Sequence, residues 1–185
     1  MDINWRESFD NTSKKIEDGE KLYEQLLSVR DEGTDILVCP EHMGDTLWVA
    51  AMAGAYIKAH ECNRVYYAVK ESQKDLVNQF PDIDGTIVLN NYEMSCLEQY
   101  IIVMQYWNHE HIVYAHFPAY YVYNYPSFSK AQYYLLPPES TMLETRKHML
   151  GLNGDITLSR MLPLDDGNNQ ELKALFGNAV LLMPV

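Results

Sequence analysis

Short apolar runs and longer stretches with helical spacing alternate through the middle of this chain. The apolar runs are rich in β-branched residues, which is typical of buried strands. The predicted strands are residues 35–40, 64–69, 85–90 and 111–117. The predicted helices between them are residues 44–60, 70–80 and 92–107. Strands that alternate with helices through short connections indicate a parallel sheet covered on both faces. The chain is therefore predicted to form an α/β, Rossmann-like, doubly wound domain.

The N-terminal part of the chain follows a different pattern. Residues 1–17 are polar and without periodicity, which predicts a loose lead-in. From Asp18 the spacing of the leucines predicts an amphipathic helix that stops at Gly33. Residues 1–34 are therefore interpreted as an N-terminal extension, followed by the Rossmann-like domain over residues 35–176.

The alternation of strands and helices stops after residue 117. Residues 118–138 are crowded with tyrosine, and residues 140–154 then predict a helix with a Ser or Thr cap and a glycine stop. Residues 179–185 repeat the pattern of a buried strand, on which the sequence ends. Because a core strand needs neighbours, we expect residues 177–185 to begin a second, truncated α/β domain of a longer protein.

The turn between the first predicted strand and its helix contains the pair Gly44-Asp45. Ligands of open α/β sheets collect at the carboxyl ends of the strands, so this turn is a candidate site. A single glycine does not satisfy the dinucleotide fingerprint, and no Lys-Ser/Thr pair of a phosphate-binding loop follows. Asp45 would also place a negative charge at the positive end of the helix dipole. The turn is therefore not predicted to hold phosphate.

Two interpretations of Asp45 remain open from the local sequence. The first is a helix N-cap, in which the carboxylate accepts from the backbone N–H of Leu47 or Trp48 and contributes about 1 kcal/mol. The second is a carboxylate base that faces a ligand cleft. The two are compatible, although a capping carboxylate is stabilised as the anion and is then a weaker base.

The sequence around this pair resembles the family 9 glycosyltransferases, the lipopolysaccharide heptosyltransferase group. The stretches that carry the resemblance are ILVCPEHMGDTLWVAAMAGAY (36–56), VYYAVKESQKDLVNQFPDIDGTIVL (65–89), HMLGLNGDITLSRMLPL (148–164) and GNAVLLMPV (177–185). They match the family's order of strand, loop, Gly-Asp and helix, a second strand and helix, a third strand, and the linker to a second domain. Gly44-Asp45 is the specific sequence motif in this resemblance. The remaining agreement lies in the order of strands and helices.

The resemblance implies a GT-B architecture, of which this chain would be the N-terminal, acceptor-binding half. Such enzymes invert the anomeric centre of a nucleotide-sugar donor without a metal or another cofactor, and the donor binds to the C-terminal domain. The family's proposed catalytic base falls on Asp45. Without the donor-binding domain, the present residues alone are expected to be inactive.

This chain also departs from the family pattern. Family members commonly carry a basic residue before Gly-Asp and a proline several residues after it. Here the corresponding positions are Pro40-Glu41-His42 and Ala50-Ala51. An acidic residue beside the site disfavours a phosphorylated acceptor, and the identity of the transferred sugar stays open.

Further candidates for the acceptor pocket are aromatic and imidazole side chains. His116 ends the predicted strand 111–117 and therefore lies at the same sheet edge as Asp45. We expect it to line the pocket with His42, Gly44, Tyr120 and Tyr121, since tyrosine presents both an apolar face and a polar tip to a sugar. The tyrosine-rich stretch is more typical of internal packing or of a homo-oligomer interface than of a sugar pocket.

Three other observations limit the class of function. The formal net charge of −12 argues against nucleic acid or an anionic membrane surface as a partner, and no apolar run reaches the roughly 20 residues that span a bilayer. Cys39, Cys62 and Cys96 are odd in number and lack CxxC spacing, which favours reduced thiols in a cytoplasmic protein. His109 and His111 lie at the start of the strand predicted at 111–117, at the opposite edge from Asp45, and have no third ligand at metal-site spacing.

Two alternatives to a glycosyltransferase follow from the same residues. One is a non-enzymatic carbohydrate- or protein-binding α/β module, in which Asp45 only caps its helix. The other is a nucleotide-binding α/β regulator.

Overall fold

A computed structural model of the chain describes residues 5–39, 42–106, 108–115 and 142–161. Its helices are α1 (Trp5–Ser28), α2 (Met43–His60), α3 (Glu71–Val77), α4 (Asn91–Met104) and α5 (Met142–Met149). Its strands are β1 (Thr34–Val38), β2 (Arg64–Val69), β3 (Gly85–Val88), β4 (Asn108–His109) and β5 (Ile112–Tyr114).

The five strands form one sheet in the order β3-β2-β1-β5-β4. β1, β2, β3 and β5 run parallel, and the two-residue β4 pairs antiparallel with β5 at the edge. The chain proceeds outward from β1 to β3 and then returns to the other side of β1. The strand order therefore reverses between β1 and β5, and their carboxyl ends form the switch point where α/β proteins bind ligands.

Helices cover both faces of this sheet. Successive residues of β1 point to opposite faces, so Leu37 joins the core under α2 and α3, while Ile36 joins the core under α1 and α4. All five residues of β1 are buried, as expected for a central parallel strand. The predicted α/β class and the mainly parallel sheet are confirmed, and the strand order is compatible with a Rossmann-like fold.

α2 is buried on two sides. Its residues 47–57 contain no charged side chain, and a helix that is apolar all round is expected inside the protein. One side packs on the sheet, and the other is covered by α5 and the segment after it, in which Leu150 and Leu152 are buried. The amide of Ser159 donates to the carbonyl of Ala51 at 2.7 Å, which fastens that segment along the helix.

The N-terminal helix is longer than the sequence predicts. Residues 1–17 were expected to be a loose lead-in, but α1 already begins at Trp5. The helix packs parallel to α4, with Gly19 against the backbone of Cys96 and Tyr23 against Tyr100. Before Asp18, Ile16 packs against the same core, and Nζ of Lys15 donates to the hydroxyl of Ser95 in α4 at 3.1 Å, so long-range contacts hold residues that show no apolar periodicity.

The strand predicted at 111–117 and the helix predicted at 92–107 are also shorter than expected. α4 ends at Met104 because Gln105 takes a left-handed conformation with φ 59°. The chain then forms a hairpin whose turn residues, Glu110 and His111, have φ values of 47° and 70°. β5 therefore covers only Ile112–Tyr114 of the predicted 111–117.

Two further sequence-based expectations lie outside the described residues. These are the tyrosine-rich stretch at 118–138 and the second-domain strand at 177–185. Of the helices that the structure does describe, none combines the length and the apolar character required to cross a bilayer.

Replacing Gly19 with alanine is expected to lower the free energy of unfolding by about 1 to 3 kcal/mol, because the new Cβ would overlap the carbonyl of Cys96. Gly44→Ala is the matched control, since in the described part of the chain a Cβ there meets no atom within 4 Å. That change should raise stability by up to about 1 kcal/mol. Urea titration followed by circular dichroism measures both, and equal effects would contradict the close approach of α1 and α4.

Candidate functional site

Asp45 is the third residue of α2 and does not cap it. The helix begins at Met43 after His42, whose extended backbone makes it the N-cap, with no side-chain capping bond. The carbonyl of His42 accepts from both the amide and the hydroxyl of Thr46, at 3.1 and 3.2 Å, and so closes the first turn. The capping interpretation of Asp45 is therefore wrong, because the helix starts earlier than that interpretation requires.

The carboxylate of Asp45 instead forms an ion pair with Arg146 of α5. Nη2 of Arg146 donates to Oδ1 of Asp45 across 101 residues of sequence. The arginine side chain is only 3% exposed, whereas that of Asp45 is 22% exposed. The second guanidinium nitrogen, Nη1, donates to the carbonyl of Ala115 at 3.1 Å. Arg146 therefore ties α5 to α2 and to the end of β5.

This ion pair lies at the switch point of the sheet. Ala115 directly follows β5, and its amide donates to the carbonyl of Val38, the last residue of β1, at 2.8 Å. The carbonyl that accepts from Arg146 thus belongs to the residue that joins the carboxyl ends of the two strands. Asp45 reaches the same place from the first turn of α2.

The second carboxylate oxygen of Asp45, Oδ2, has no hydrogen-bond partner among the described residues. Within the described residues, Arg146 is the only hydrogen-bond partner of this side chain, and it uses Oδ1. Gly44, beside it, is exposed, and no atom of the described residues lies within 4 Å of the position that a Cβ would take there. Gly44 has a helical conformation without positive φ, so the backbone does not require glycine there. Gly44 and Asp45 therefore place an oriented carboxylate oxygen next to a backbone position that no described side chain covers.

Buried hydrogen bonds from α3 and β2 hold the first turn of α2. Nε2 of Gln73 in α3 donates to the hydroxyl of Thr46 at 3.0 Å, and the hydroxyl of Tyr67 in β2 donates to the Thr46 carbonyl at 3.2 Å. Complete burial raises the pKa of Tyr67 well above its ordinary value, so Tyr67 remains a protonated donor. The turn that carries Asp45 is consequently fixed against two other elements.

The remaining sequence-predicted site residues divide into two groups. His42 is exposed at the start of α2, next to Gly44 and Asp45. His116, Tyr120 and Tyr121 lie outside the described residues. The sequence did not identify Arg146, because it stands in a basic helical turn, TRKH, that has the appearance of an ordinary solvent-facing stretch.

A second carboxylate, Asp35, is bound at the opposite edge of the sheet. Its Oδ2 accepts from the buried hydroxyl of Tyr56 at 2.6 Å, and its Oδ1 lies 2.7 Å from Nδ1 of His111. Burial, followed by the hydrogen bond to Asp35, raises the pKa of Tyr56 above its ordinary range. Both oxygens of Asp35 are thus occupied, and the contact fastens the β4–β5 turn to β1.

The two histidines of that turn have separate partners. His109 stacks on Tyr106 and lies 3.1 Å from the hydroxyl of Tyr23, whereas His111 contacts Asp35. Among the residues that the structure describes, no three His, Cys, Asp or Glu side chains are grouped as metal ligands.

All three cysteines are free thiols, with Cys39 and Cys96 buried and Cys62 half-buried. Burial, with a further contribution from the charge of Asp35, raises the pKa of Cys62 to about 11. A thiol with so high a pKa is a poor nucleophile at neutral pH.

Comparisons of this chain with protein-family models, with curated proteins and with solved structures give no match.

The ion pair predicts strong energetic coupling between its two residues. Asp45→Asn or Arg146→Met alone is expected to cost about 2 to 4 kcal/mol, because each change leaves an imperfectly compensated charge in a buried setting. The double substitution should cost less than the sum by more than about 1 kcal/mol. Urea unfolding of the four proteins measures the cycle, and additive effects would show that the two charges do not interact.

Cys62 is expected to react slowly with iodoacetamide at pH 8, because with a pKa of about 11 roughly one thiol in a thousand is ionised there. Its alkylation rate should then rise about tenfold per pH unit up to pH 10. Mass spectrometry of the modified peptide gives the rate, with urea-unfolded protein as the control. A rate that levels off near pH 9 would contradict the raised pKa.

Proposed function

We propose that this chain is the acceptor-binding N-terminal domain of an inverting, metal-independent GT-B glycosyltransferase that uses a nucleotide-sugar donor. The observation that carries the proposal is the carboxylate of Asp45, which is oriented by Arg146 at the switch point and has one oxygen without a partner among the described residues. The resemblance of the Gly44-Asp45 region to the family 9 glycosyltransferases supports the same assignment.

In the proposed reaction Asp45 is the general base. Oδ2 takes the proton of an acceptor hydroxyl. At the same time the oxygen of that hydroxyl forms a bond to the anomeric carbon of the donor sugar. The bond from the anomeric carbon to the nucleoside diphosphate breaks at the same time, and the leaving group carries away the electron pair. Base assistance of this kind is worth about 10²- to 10⁴-fold in rate.

The charges around the site favour a neutral acceptor. The guanidinium of Arg146 is engaged by Asp45 and almost wholly buried, so it is not offered to a phosphate. In the sequence, Glu41 adds a further acidic residue to the loop before α2. A neutral sugar hydroxyl meets no electrostatic repulsion from the Asp45 carboxylate, whereas a phosphorylated sugar does.

The exposed side chain of Trp48 suits a sugar ring. Trp48 is 42% exposed and lies one helical turn after Gly44. Long helical side chains lean toward the N-terminus of their helix, which is the direction of Gly44 from Trp48. An aromatic face in this position can cover the apolar face of an acceptor sugar while its hydroxyl points to Asp45.

The rest of the proposal concerns residues beyond the described ranges. His116, Tyr120 and Tyr121 would complete the acceptor pocket, and the tyrosine-rich segment would provide a homo-oligomer contact. The donor would bind to a C-terminal domain that starts at residues 177–185. The cytoplasm, where nucleotide sugars are available, is the proposed location.

Replacing Asp45 with asparagine should lower transfer by about 10²- to 10⁴-fold, because the amide cannot accept the acceptor proton. The assay uses the full-length protein with UDP-, GDP- and ADP-linked hexoses and heptoses and with methyl glycosides as acceptors, and it measures nucleoside diphosphate release. Asp155→Asn, at an exposed aspartate of the segment after α5, is the matched control and should behave as wild type. Unchanged transfer by Asp45→Asn, or no transfer from any donor, would refute the proposal.

The ion pair also favours a second candidate, a carbohydrate-binding module without catalysis. In that case Asp45 serves to neutralise the buried guanidinium of Arg146. Such a protein would bind methyl glycosides in calorimetry but release no nucleoside diphosphate from any donor.

A further inference from the structure

We infer that Arg146 is a positioning residue for Asp45, so that α5 forms part of the acceptor-side site. The inference rests on the proposed function, in which Asp45 is the base. It adds a residue that lies 101 positions away from the Gly-Asp motif and that the motif does not predict.

The first support is the burial of the guanidinium. A charged side chain that is only 3% exposed is costly unless its partners are fixed. Arg146 uses different nitrogens for different elements, with Nη2 on Asp45 of α2 and Nη1 on the carbonyl of Ala115 after β5. Because the guanidinium is planar and rigid, the bond to the Ala115 carbonyl also sets the direction in which Nη2 points.

The second support is the anchoring of α5 on α2. Nε2 of His60, the last residue of α2, lies 2.7 Å from the carbonyl of Leu150, which directly follows α5. The ring of His60 is itself stacked on Tyr56, with 4.3 Å between the ring centroids. Leu150 is buried against the same core as α2. α5 is therefore held at its C-terminal end, and Arg146 cannot shift along α2 without breaking these contacts.

The consequence for Asp45 is restricted rotation of its carboxylate. With Oδ1 held by Arg146, Oδ2 keeps a single direction relative to the backbone of Gly44 and the first turn of α2. A base fixed in this way is already aligned with an acceptor hydroxyl, and small misalignments of reacting groups cost large factors in rate. Because Arg146 does not reach the acceptor, its removal should lower kcat and leave the acceptor KM nearly unchanged.

The experiment compares three variants of the full-length protein in the transfer assay, using the nucleotide-sugar and methyl glycoside pair with the highest turnover. Arg146→Met should lower kcat by at least about tenfold with KM within about twofold. Arg146→Lys keeps the charge but lacks the planar fork, so it should recover part of the lost kcat. Lys147→Met removes the same charge from the neighbouring position of α5, away from Asp45, and should retain the wild-type kcat.

Several outcomes overturn the inference. Wild-type kcat in Arg146→Met would show that Asp45 needs no positioning, and a rise in KM without a fall in kcat would assign Arg146 to acceptor binding instead. If Arg146→Met does not fold, as judged by circular dichroism, Arg146→Lys decides, since an unchanged kcat there excludes a role for the fork geometry.

Asp45→Asn in the same assay separates the two proposals. Loss of transfer there with full activity in both Arg146 variants refutes only the positioning role, whereas retained transfer in Asp45→Asn refutes the proposed function itself.

Discussion

The buried guanidinium of Arg146 is the constraint on which the arrangement of the carboxyl edge depends. A charge that is almost wholly withdrawn from water needs partners of fixed geometry, and two partners of this guanidinium belong to other elements of the described fold. The carboxylate of Asp45 compensates the charge, and the carbonyl of Ala115 takes a second donor. The first turn of α2, the end of β5 and the helix α5 are consequently held in register around one side chain.

The same region depends on the two-sided burial of α2. The sheet covers one side of this helix, and α5 with the segment that follows covers the other. Thr46 adds the polar contacts, since its hydroxyl and its carbonyl accept from Gln73 and Tyr67. A turn that is fixed from several directions loses little further entropy when a ligand binds, which suits a binding or catalytic site.

The two carboxylates near β1 show how the environment gives different hydrogen-bonding states to side chains of the same chemistry. Asp35 is buried, and Tyr56 and His111 occupy both of its oxygens, so it stabilises the hairpin turn at the amino edge. Asp45 is partly exposed, and among the described residues only one of its oxygens is engaged. The residues at the two positions are chemically identical, but of the two only Asp45 has an oxygen without a hydrogen-bond partner among the described residues.

The sequence by itself determined the α/β class, the central strands β1 and β2 and the helix between them, because apolar periodicity and burial on both faces are local properties of the chain. It also placed Asp45 at the carboxyl edge. It underestimated α1, whose residues before Asp18 contact α4 through Lys15 and the core through Ile16. It also left open whether Asp45 caps α2, because the start of that helix depends on the His42 carbonyl. Only the tertiary structure brought Arg146 to Asp45, and it brought His111 to Asp35 as well. Those contacts join residues 101 and 76 positions apart, and no local pattern of residues encodes which distant charge will be buried against which carboxylate.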